Sequence, residues 1–341
     1  MRNDLVLLFL HGAGPNQAMW DPVRRPLNGR WRSVAIDLPG HGARGDAGPY
    51  TLDAAAKLVA ETVRGLAPAR ALLVGDSLGG YSALAVDGDR FTLLGDGGGV
   101  LTFRMRADRR PRDAAARDLP AGPRTGWHKG DRDSESLAHD PKTGRWWVGF
   151  ENWNEIWRYG PDLARAERGR APAAMRRWPE AGGAEAMTRL ADGRFVLIAE
   201  SARPPRRRGA RRLRGRDGLI FAGDPTDPRV RPARFVYRPA PGFRPVDLAE
   251  LPDGRVLVLE RAFTLPFRWS TRLALIERGA IRAGATVTGR TLAVLAPPLV
   301  SDNFEGLAVA REGKRTVVWM VSDDNQLALQ RTLLLKFGLE G

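Results

Sequence analysis

The chain of 341 residues contains no cysteine and no long apolar run. Without cysteine it has no disulfide, no cysteine-ligated zinc and no thiol nucleophile, and its redox compartment is left open. No apolar stretch approaches the roughly 18 residues that a membrane-spanning helix needs. Histidine is also scarce, so candidate imidazole bases are few: they are His11, His41, His128 and His139.

The amino terminus, "MRNDLVLLFLHGAG", is predicted to be a strand rather than a signal peptide. His11 and Gly12 follow its apolar run directly, and no small-residue cleavage site comes after it. As written, the sequence therefore predicts a cytoplasmic protein.

Acidic residues are outnumbered, with 54 Lys and Arg against 39 Asp and Glu and a net charge of +15. The densest basic run is "RPPRRRGARRLRGR", from Arg203 to Arg216, which is typical of a solvated loop and alternatively of a loop that contacts a polyanion. Aromatic residues are not interleaved with these arginines, so nucleic acid is not an expected partner. A small-molecule ester or phosphate ester is expected, and the oligomeric state is left open.

Residues 1–80 alternate strand and helix patterns. Apolar strands are predicted in "DLVLLFLHGAG", "RSVAIDLPGHG" and "ARALLVGDS", and an amphipathic helix lies between Thr51 and Pro68. Strands separated by helices predict βαβ units with a parallel sheet.

Three motifs give residues 1–80 a resemblance to the front half of an α/β-hydrolase: "HGAG" at His11, "DLPGHG" at Asp37 and "GDSLGG" at Gly75. The resemblance implies that Ser77 is a nucleophile and that the backbone N–H groups of Leu78 and Ala13 form an oxyanion hole. The family also needs a later acid and a late histidine, and the only later histidines lie in sequence of another type. We therefore predict that Ser77 is catalytically silent, and a serine esterase built on it is kept as an alternative.

From Tyr81 a repeat replaces this pattern. Each unit is a short apolar strand, a turn containing glycine and a Val/Leu/Phe-rich return strand that ends near an acid. The units open at intervals of 50 to 62 residues, at Ser82, Glu135, Glu185, Asp247 and Glu305. Hairpins that recur at this period predict a mainly β fold, a propeller of five or six blades fused at about residue 80 to the short α/β segment.

The opening acids are expected to converge at one end of the propeller axis. Converging carboxylates repel unless a cation compensates them, and calcium is the default hard cation for oxygen ligands. The predicted metal ligands are Glu135, Glu185, Asp247, Glu305 and Asp302. Alternatively, these acids cap turns or pair with the many arginines.

Residues 81–341 resemble the phytase-like propeller family that is described by an esterase-like activity. The resemblance is carried by "GGYSALAV", "DSESLAHDPKTGRWWVGFENWNEIWRY", "GGAEAMTRLADGRFV", "ERAFTLPF" and "SDNFEGLAV". It implies metal-assisted hydrolysis of a phosphoric ester, with Glu135, Glu305 and Arg261 as catalytic residues, and it suggests an exported or periplasmic origin. A propeller that binds a ligand or metal without turnover is the alternative.

Overall fold

The structure is a computed structural model. It describes residues 5–10, 17–27, 31–39, 42–44, 52–67, 70–75, 80–106, 109–124, 131–205, 213–265, 268–324 and 330–339. None of the described helices is both long and apolar enough to cross a membrane.

The first part of the described chain contains a three-stranded parallel sheet. Its strands are β1 (Leu5–Leu10), β2 (Arg32–Ile36) and β3 (Arg70–Gly75), and β1 lies between the other two. Apolar side chains fill the middle of β1, as expected for a strand with a neighbour on each edge. The helices are α1 (Asp21–Arg24) and α2 (Leu52–Leu66), with 3₁₀ turns at Gln17–Trp20, Arg25–Leu27 and Gly42–Arg44.

Five antiparallel sheets follow, and they are the blades of a propeller. Blade 1 contains β4 (Tyr81–Asp87), β5 (Arg90–Gly95), β6 (Gly99–Met105) and β7 (Pro111–Asp118). Blade 2 contains β8 (Ser134–Asp140), β9 (Arg145–Phe150), β10 (Glu155–Tyr159) and β11 (Ala166–Arg170), with a 3₁₀ turn at Pro161–Leu163. Helix α2 contacts β7, the outermost strand of blade 1.

The remaining three blades differ in their outer strands. Blade 3 contains β12 (Ala186–Arg189), β13 (Phe195–Ile198), β14 (Arg216–Phe221) and β15 (Ala233–Tyr237), with the short β19 (Thr286–Val287) added in parallel. Blade 4 contains β16 (Arg244–Glu250), β17 (Val256–Thr264), β18 (Arg268–Ile276) and β20 (Arg290–Leu295). Blade 5 contains β21 (Phe304–Glu312), β22 (Arg315–Ser322) and β23 (Leu334–Leu339).

The blades close into a ring through their innermost strands. β4 contacts β8, and contacts continue through β12 and β16 to β21, which returns to β4. A buried apolar cluster lies between each pair of neighbouring blades, including blades 5 and 1, where Phe91 meets Trp319 edge-on with ring centroids 4.8 Å apart. The predicted mainly β propeller is thus confirmed, with five blades. The C-terminal segment completes blade 5, because β23 pairs with β22.

Candidate functional site: the mouth of the propeller

We call the mouth the end of the propeller at which the five inner strands begin. Four of these strands start with a β-bulge, in which one residue has no partner on the neighbouring strand. A bulge re-aims the side chain of the extra residue, and the residues in this position are Ser82, Glu135, Val246 and Glu305. Glu185 has the same offset in blade 3, directly before the first paired residue of β12.

The register of blade 4 differs from the one read off the sequence. The sequence repeat aligned Asp247 with Glu135, but the bulged residue is Val246, and Asp247 occupies the next position, which is Ser136 in blade 2. The Asp247 carboxylate accepts hydrogen bonds from the N–H groups of Leu248 and Leu307, both at 2.7 Å. Asp247 thereby joins blade 4 to blade 5.

Ser136 has the corresponding role one position along in blade 2. Its hydroxyl donates to the carbonyl of Ala184 at 2.9 Å and so joins blade 2 to blade 3.

Burial raises the pKa of the Asp247 carboxyl well above its ordinary value, although the two backbone N–H donors oppose this shift. The structure therefore does not bring Asp247 together with the other opening acids.

A second ring of positions lies on the second strand of each blade, close to the mouth. Each member follows by two residues the second-strand residue that pairs with the first inner-strand residue after the bulge. The members are Asp96, Glu151, Glu200, Arg261 and Asp323. In blade 4 the acid of the return strand, Glu260, lies one residue before this position. Glu260 pairs with Pro245 and is fully buried, where it accepts hydrogen bonds from Tyr237 at 2.5 Å and Arg272 at 2.6 Å.

At this ring position the other four blades therefore have a carboxylate, whereas blade 4 has the cation Arg261. Its guanidinium donates to Glu200 in blade 3 at 3.2 Å and to Asn303 in blade 5 at 2.8 Å, and it forms an ion pair with Glu305. Burial by itself lowers the pKa of Arg261, but the carboxylates of Glu185 and Glu200 outweigh burial and raise it. Arg261 is thus held as the counter-charge of the mouth.

Three carboxylates come together on the blade 2 side of the mouth. One oxygen each from Asp133, Glu135 and Glu151 lies within 4.8 Å of the other two. Calcium binds oxygens at about 2.3–2.6 Å, so two oxygens on opposite sides of one ion lie about 5 Å apart. The separations of up to 4.8 Å in this cluster agree with that distance. The donor set and its spacing fit a hard divalent cation.

Glu151 is fixed in this cluster by backbone donors. The N–H groups of Gly182 and Gly183, in the loop before β12, donate to one of its oxygens, and the Gly183 distance is 3.0 Å. Asn154 occupies the space beside Gly183, where a side chain at that position would collide with its amide oxygen. The loop can therefore approach Glu151 only with glycine at this place.

Glu185 is buried and lies close enough to Glu135 and Glu151 to be affected by their charges. Burial raises the pKa of its carboxyl well above the ordinary value, and the charges of Glu135, Glu151 and Glu200 raise it further. Arg261 opposes these effects. A bound cation would oppose them as well, because it compensates the same negative charges.

Asp302 and Glu305 lie at the start of blade 5 and are linked through Asn303. The Asn303 amide donates to Glu305 at 2.8 Å, and its backbone N–H donates to Asp302 at 3.0 Å. Asp302 also accepts from the backbone N–H of Arg331 at 3.3 Å. The structure thus groups Glu305 with Arg261, whereas Asp302 contacts the segment that leads into β23.

The residues of the alternative esterase site lie outside the described residues. This applies to Ser77, Leu78 and Ala13, and also to His11, His41 and His128. His139 is described: it stacks on Trp146 with ring centroids 3.9 Å apart, at the end of β8 away from the mouth.

A spacing signal in the sequence was sufficient to find the position of Arg261. In blades 2, 3 and 4, counting seven residues from the turn glycine of the first hairpin leads from Gly144 to Glu151, from Gly193 to Glu200 and from Gly254 to Arg261. All three glycines have positive φ, which the tight turn requires. In these three blades the turn glycine is therefore a better reference point for the register than the acid at the start of the repeat.

Curated proteins match this chain over only about a quarter of its length. An esterase of Mycobacterium tuberculosis is 37% identical over 92 residues, which is 26% of this chain and 30% of the relative. Pimeloyl-[acyl-carrier protein] methyl ester esterases of Nitrosomonas europaea and Klebsiella pneumoniae are 37% and 39% identical over 78 and 83 residues. These matches cover 23% and 24% of this chain and 29% and 31% of the relatives. This chain thus spans about a third of the length of the curated relatives it matches.

Similar solved structures are remote. Hydrazine synthase of Kuenenia stuttgartiensis has a TM-score of 0.36 and 10% identity, covering 76% of this chain and 63% of the other. A protein of unknown function from Bacteroides thetaiotaomicron has a TM-score of 0.40 and 10% identity, covering 75% and 58%. Nothing about function follows from similarities this low.

The family assignment rests on a longer match. The model of the phytase-like family, described as "Esterase-like activity of phytase", matches residues 76–326, which include the inner strands of all five blades and every charged residue of the mouth discussed above. The chain belongs to this phytase-like family.

Proposed function

We propose that the propeller hydrolyses phosphoric esters with the help of a divalent cation, calcium by preference, held at its mouth. The observation that carries the proposal is the approach of the Asp133, Glu135 and Glu151 oxygens to within 4.8 Å of one another. Carboxylates this close repel one another, and a bound cation would reduce that repulsion. The family assignment supports a hydrolase of this general type.

In this proposal Asp133, Glu135 and Glu151 hold the cation, with Glu185 as a further oxygen donor. A divalent cation there supplies Lewis-acid polarisation of the phosphoryl group and lowers the pKa of water. Asp247 is left out of the proposed set, because both of its oxygens already accept hydrogen bonds from backbone N–H groups.

Glu305 and Arg261 are proposed to act on the substrate from the other side of the mouth. Arg261 would donate to a phosphoryl oxygen, since arginine N–H groups match phosphate geometry. Glu305, which pairs with Arg261 and accepts a hydrogen bond from the Asn303 amide, would accept a proton from the attacking water.

The test is phosphate release from p-nitrophenyl phosphate and from phytate, with calcium or with a chelator. We expect calcium-dependent turnover, a shift to higher half-saturating calcium in Glu135→Gln, and a loss in kcat of about 10²- to 10⁴-fold in Glu305→Gln. Turnover that is indifferent to the chelator and to both substitutions contradicts the proposal. Calcium binding without turnover supports the binding-propeller alternative.

A serine esterase in residues 1–80 is the second candidate, favoured by the short matches to curated esterases. We propose that this segment derives from an α/β-hydrolase and that its parallel sheet is a remnant of that fold. Hydrolysis of short-chain p-nitrophenyl esters by the wild type and by Ser77→Ala decides between the candidates. Activity that disappears in Ser77→Ala favours the esterase, and activity that survives supports a silent Ser77.

A further inference from the structure

A group of arginines lies at the mouth, on the boundary between blades 3 and 4. Arg216 begins β14 and Arg244 begins β16. The Ala199 N–H donates to the Asp217 carbonyl at 3.0 Å, and the Asp217 N–H donates to the Ala202 carbonyl at 2.9 Å. These two bonds place Arg216 across from the segment that contains Glu200 and Arg203.

Glu200 is the carboxylate that these arginines share. One of its oxygens accepts from Arg244 at 3.2 Å and the other from Arg261 at 3.2 Å. Among the described residues, the charges of Arg244 and Arg203 act on Arg216 together with the opposing carboxylate of Glu200, which Arg261 also binds. Positive charge is therefore in excess at this boundary.

Arg216 shows the consequence of this excess. Its Nε is buried and has no hydrogen-bond partner among the described residues. Burial lowers the pKa of Arg216, the charge of Arg244 lowers it further, and Glu200 only partly opposes them. A buried donor without an acceptor costs free energy, and a nearby anion would remove this cost.

We propose that Arg203, Arg216 and Arg244 form an anion subsite that binds the tetrahedral oxyanion of a phosphate group. Guanidinium groups present N–H donors in a planar fork that fits such an oxyanion, and charge-assisted bonds of this kind are the strongest in proteins. That the bound group belongs to an ester which is hydrolysed rests on the proposed function. Binding of the anion itself requires neither metal nor turnover.

The subsite adjoins the carboxylates without overlapping them. Glu200 contacts the arginines on one side. On the other side it lies beside Gly182, because a Cβ on that glycine would come within 3.1 Å of the Glu200 Oε2. The Gly182 N–H in turn donates to Glu151. The mouth thus has a cation-binding half on blade 2 and an anion-binding half between blades 3 and 4. A phosphoric ester suits this arrangement, because its phosphoryl group can contact a cation and the arginines together.

The test measures binding of inorganic phosphate by titration calorimetry, in chelator and at constant ionic strength. The variants are Arg216→Gln, Arg244→Gln and Arg203→Gln. The matched control is Arg165→Gln, whose exposed side chain lies at the end of blade 2 away from the mouth. We expect each of the three variants to raise the Kd at least about tenfold and the control to leave it unchanged. Arg216→Lys keeps the charge but loses the fork and should fall between wild type and Arg216→Gln.

A thermal unfolding measurement separates binding from folding. Because the Arg216 Nε has no hydrogen-bond partner among the described residues and Arg216 faces like charges, Arg216→Gln should unfold at the wild-type temperature or above it in phosphate-free buffer. Phosphate should raise the unfolding temperature of the wild type but not of this variant. The inference is overturned if wild type does not bind millimolar phosphate, or if the three variants bind it as the control does.

The proposed function fails separately from this inference. Intact phosphate binding with no calcium-dependent turnover refutes the hydrolase and keeps the anion subsite. Calcium-dependent turnover, together with phosphate binding that the three arginine substitutions do not change, supports the hydrolase and refutes the anion subsite.

Discussion

Arg261 in blade 4 donates to Glu200 in blade 3 across 3.2 Å, and the same guanidinium pairs with Glu305 in blade 5. One side chain therefore connects three consecutive blades at the mouth. It occupies the position that Glu151 holds in blade 2, so the arginine supplies an internal counter-charge to a ring that is otherwise acidic.

Arg261→Met should destabilise the protein strongly. The substitution leaves Glu200 and Glu305 buried with fewer partners, and removing one side of a buried ion pair costs about 3–5 kcal/mol. Urea unfolding of the wild type and the variant, compared at equal m-values, measures this loss.

Arg244→Met is the control for this prediction. Arg244 binds the same carboxylate, but 56% of its side chain is exposed, so we expect a loss of no more than about 1 kcal/mol. Equal losses in the two variants would show that Arg261 is not the main counter-charge.

The register of the bulges predicts different outcomes for two acids that look equivalent in the sequence. Asp247→Ser introduces the residue that blade 2 has at this position and should reduce stability by about 1–3 kcal/mol, because two backbone donors lose their acceptor. Calcium should still raise the unfolding temperature of Asp247→Ser as it does that of the wild type.

Glu135→Gln should show the opposite behaviour. Its stability without calcium should stay close to that of the wild type or rise, because one of the repelling carboxylates becomes neutral. Calcium should raise its unfolding temperature only at higher concentrations than in the wild type. Differential scanning calorimetry over a calcium series compares both variants, and a calcium response lost only in Asp247→Ser would refute the register argument.

Gly306 should be required for closing the ring between blades 5 and 1. A Cβ at this position would lie 2.9 Å from the Leu84 N and 3.0 Å from the Ala83 carbonyl carbon, both in the backbone of β4. Gly306→Ala should therefore cost about 1–3 kcal/mol through overpacking, measured by urea unfolding. Gly338→Ala in β23 is the control, since no neighbouring atom of the described residues lies within 4 Å of a Cβ there, and it should change stability by less than about 0.5 kcal/mol.

His139 should make the stability of the propeller depend on pH. Burial lowers the pKa of this imidazole, and the charges of Asp87 and Asp140 only partly oppose the effect. The unfolded chain then takes up a proton near pH 6.5, whereas the folded chain takes it up only at lower pH. The stabilisation is thus complete above about pH 6.5 and falls as the pH drops toward the folded-state pKa.

His139→Phe keeps an aromatic ring on Trp146 and removes this titration. Between pH 5 and 8 its free energy of unfolding should fall less steeply with acidification than that of the wild type, with a difference in slope of at most about 1.4 kcal/mol per pH unit. Parallel pH profiles would show that His139 does not account for the dependence.

The sequence by itself was enough to predict the propeller. Val/Leu/Phe-rich return strands after turn glycines such as Gly193 and Gly254 specify hairpins, and their recurrence specifies stacked blades, because one hairpin cannot bury its apolar faces alone. The concentration of acids at one end of the propeller followed from the same repeat, since homologous positions in a ring meet around its axis.

Only the tertiary structure decided which of these acids share one site. Successive side chains of a strand point to opposite faces, so a shift of one residue moves a side chain from the mouth to the neighbouring blade. The bulge at Val246 makes this shift, and it separates Asp247 from Glu135 and places Arg261 where an acid was expected. The proximity of the like charges of Arg216 and Arg244 likewise depends on how blade 3 packs against blade 4, because a distance between blades is not encoded in the spacing within either of them.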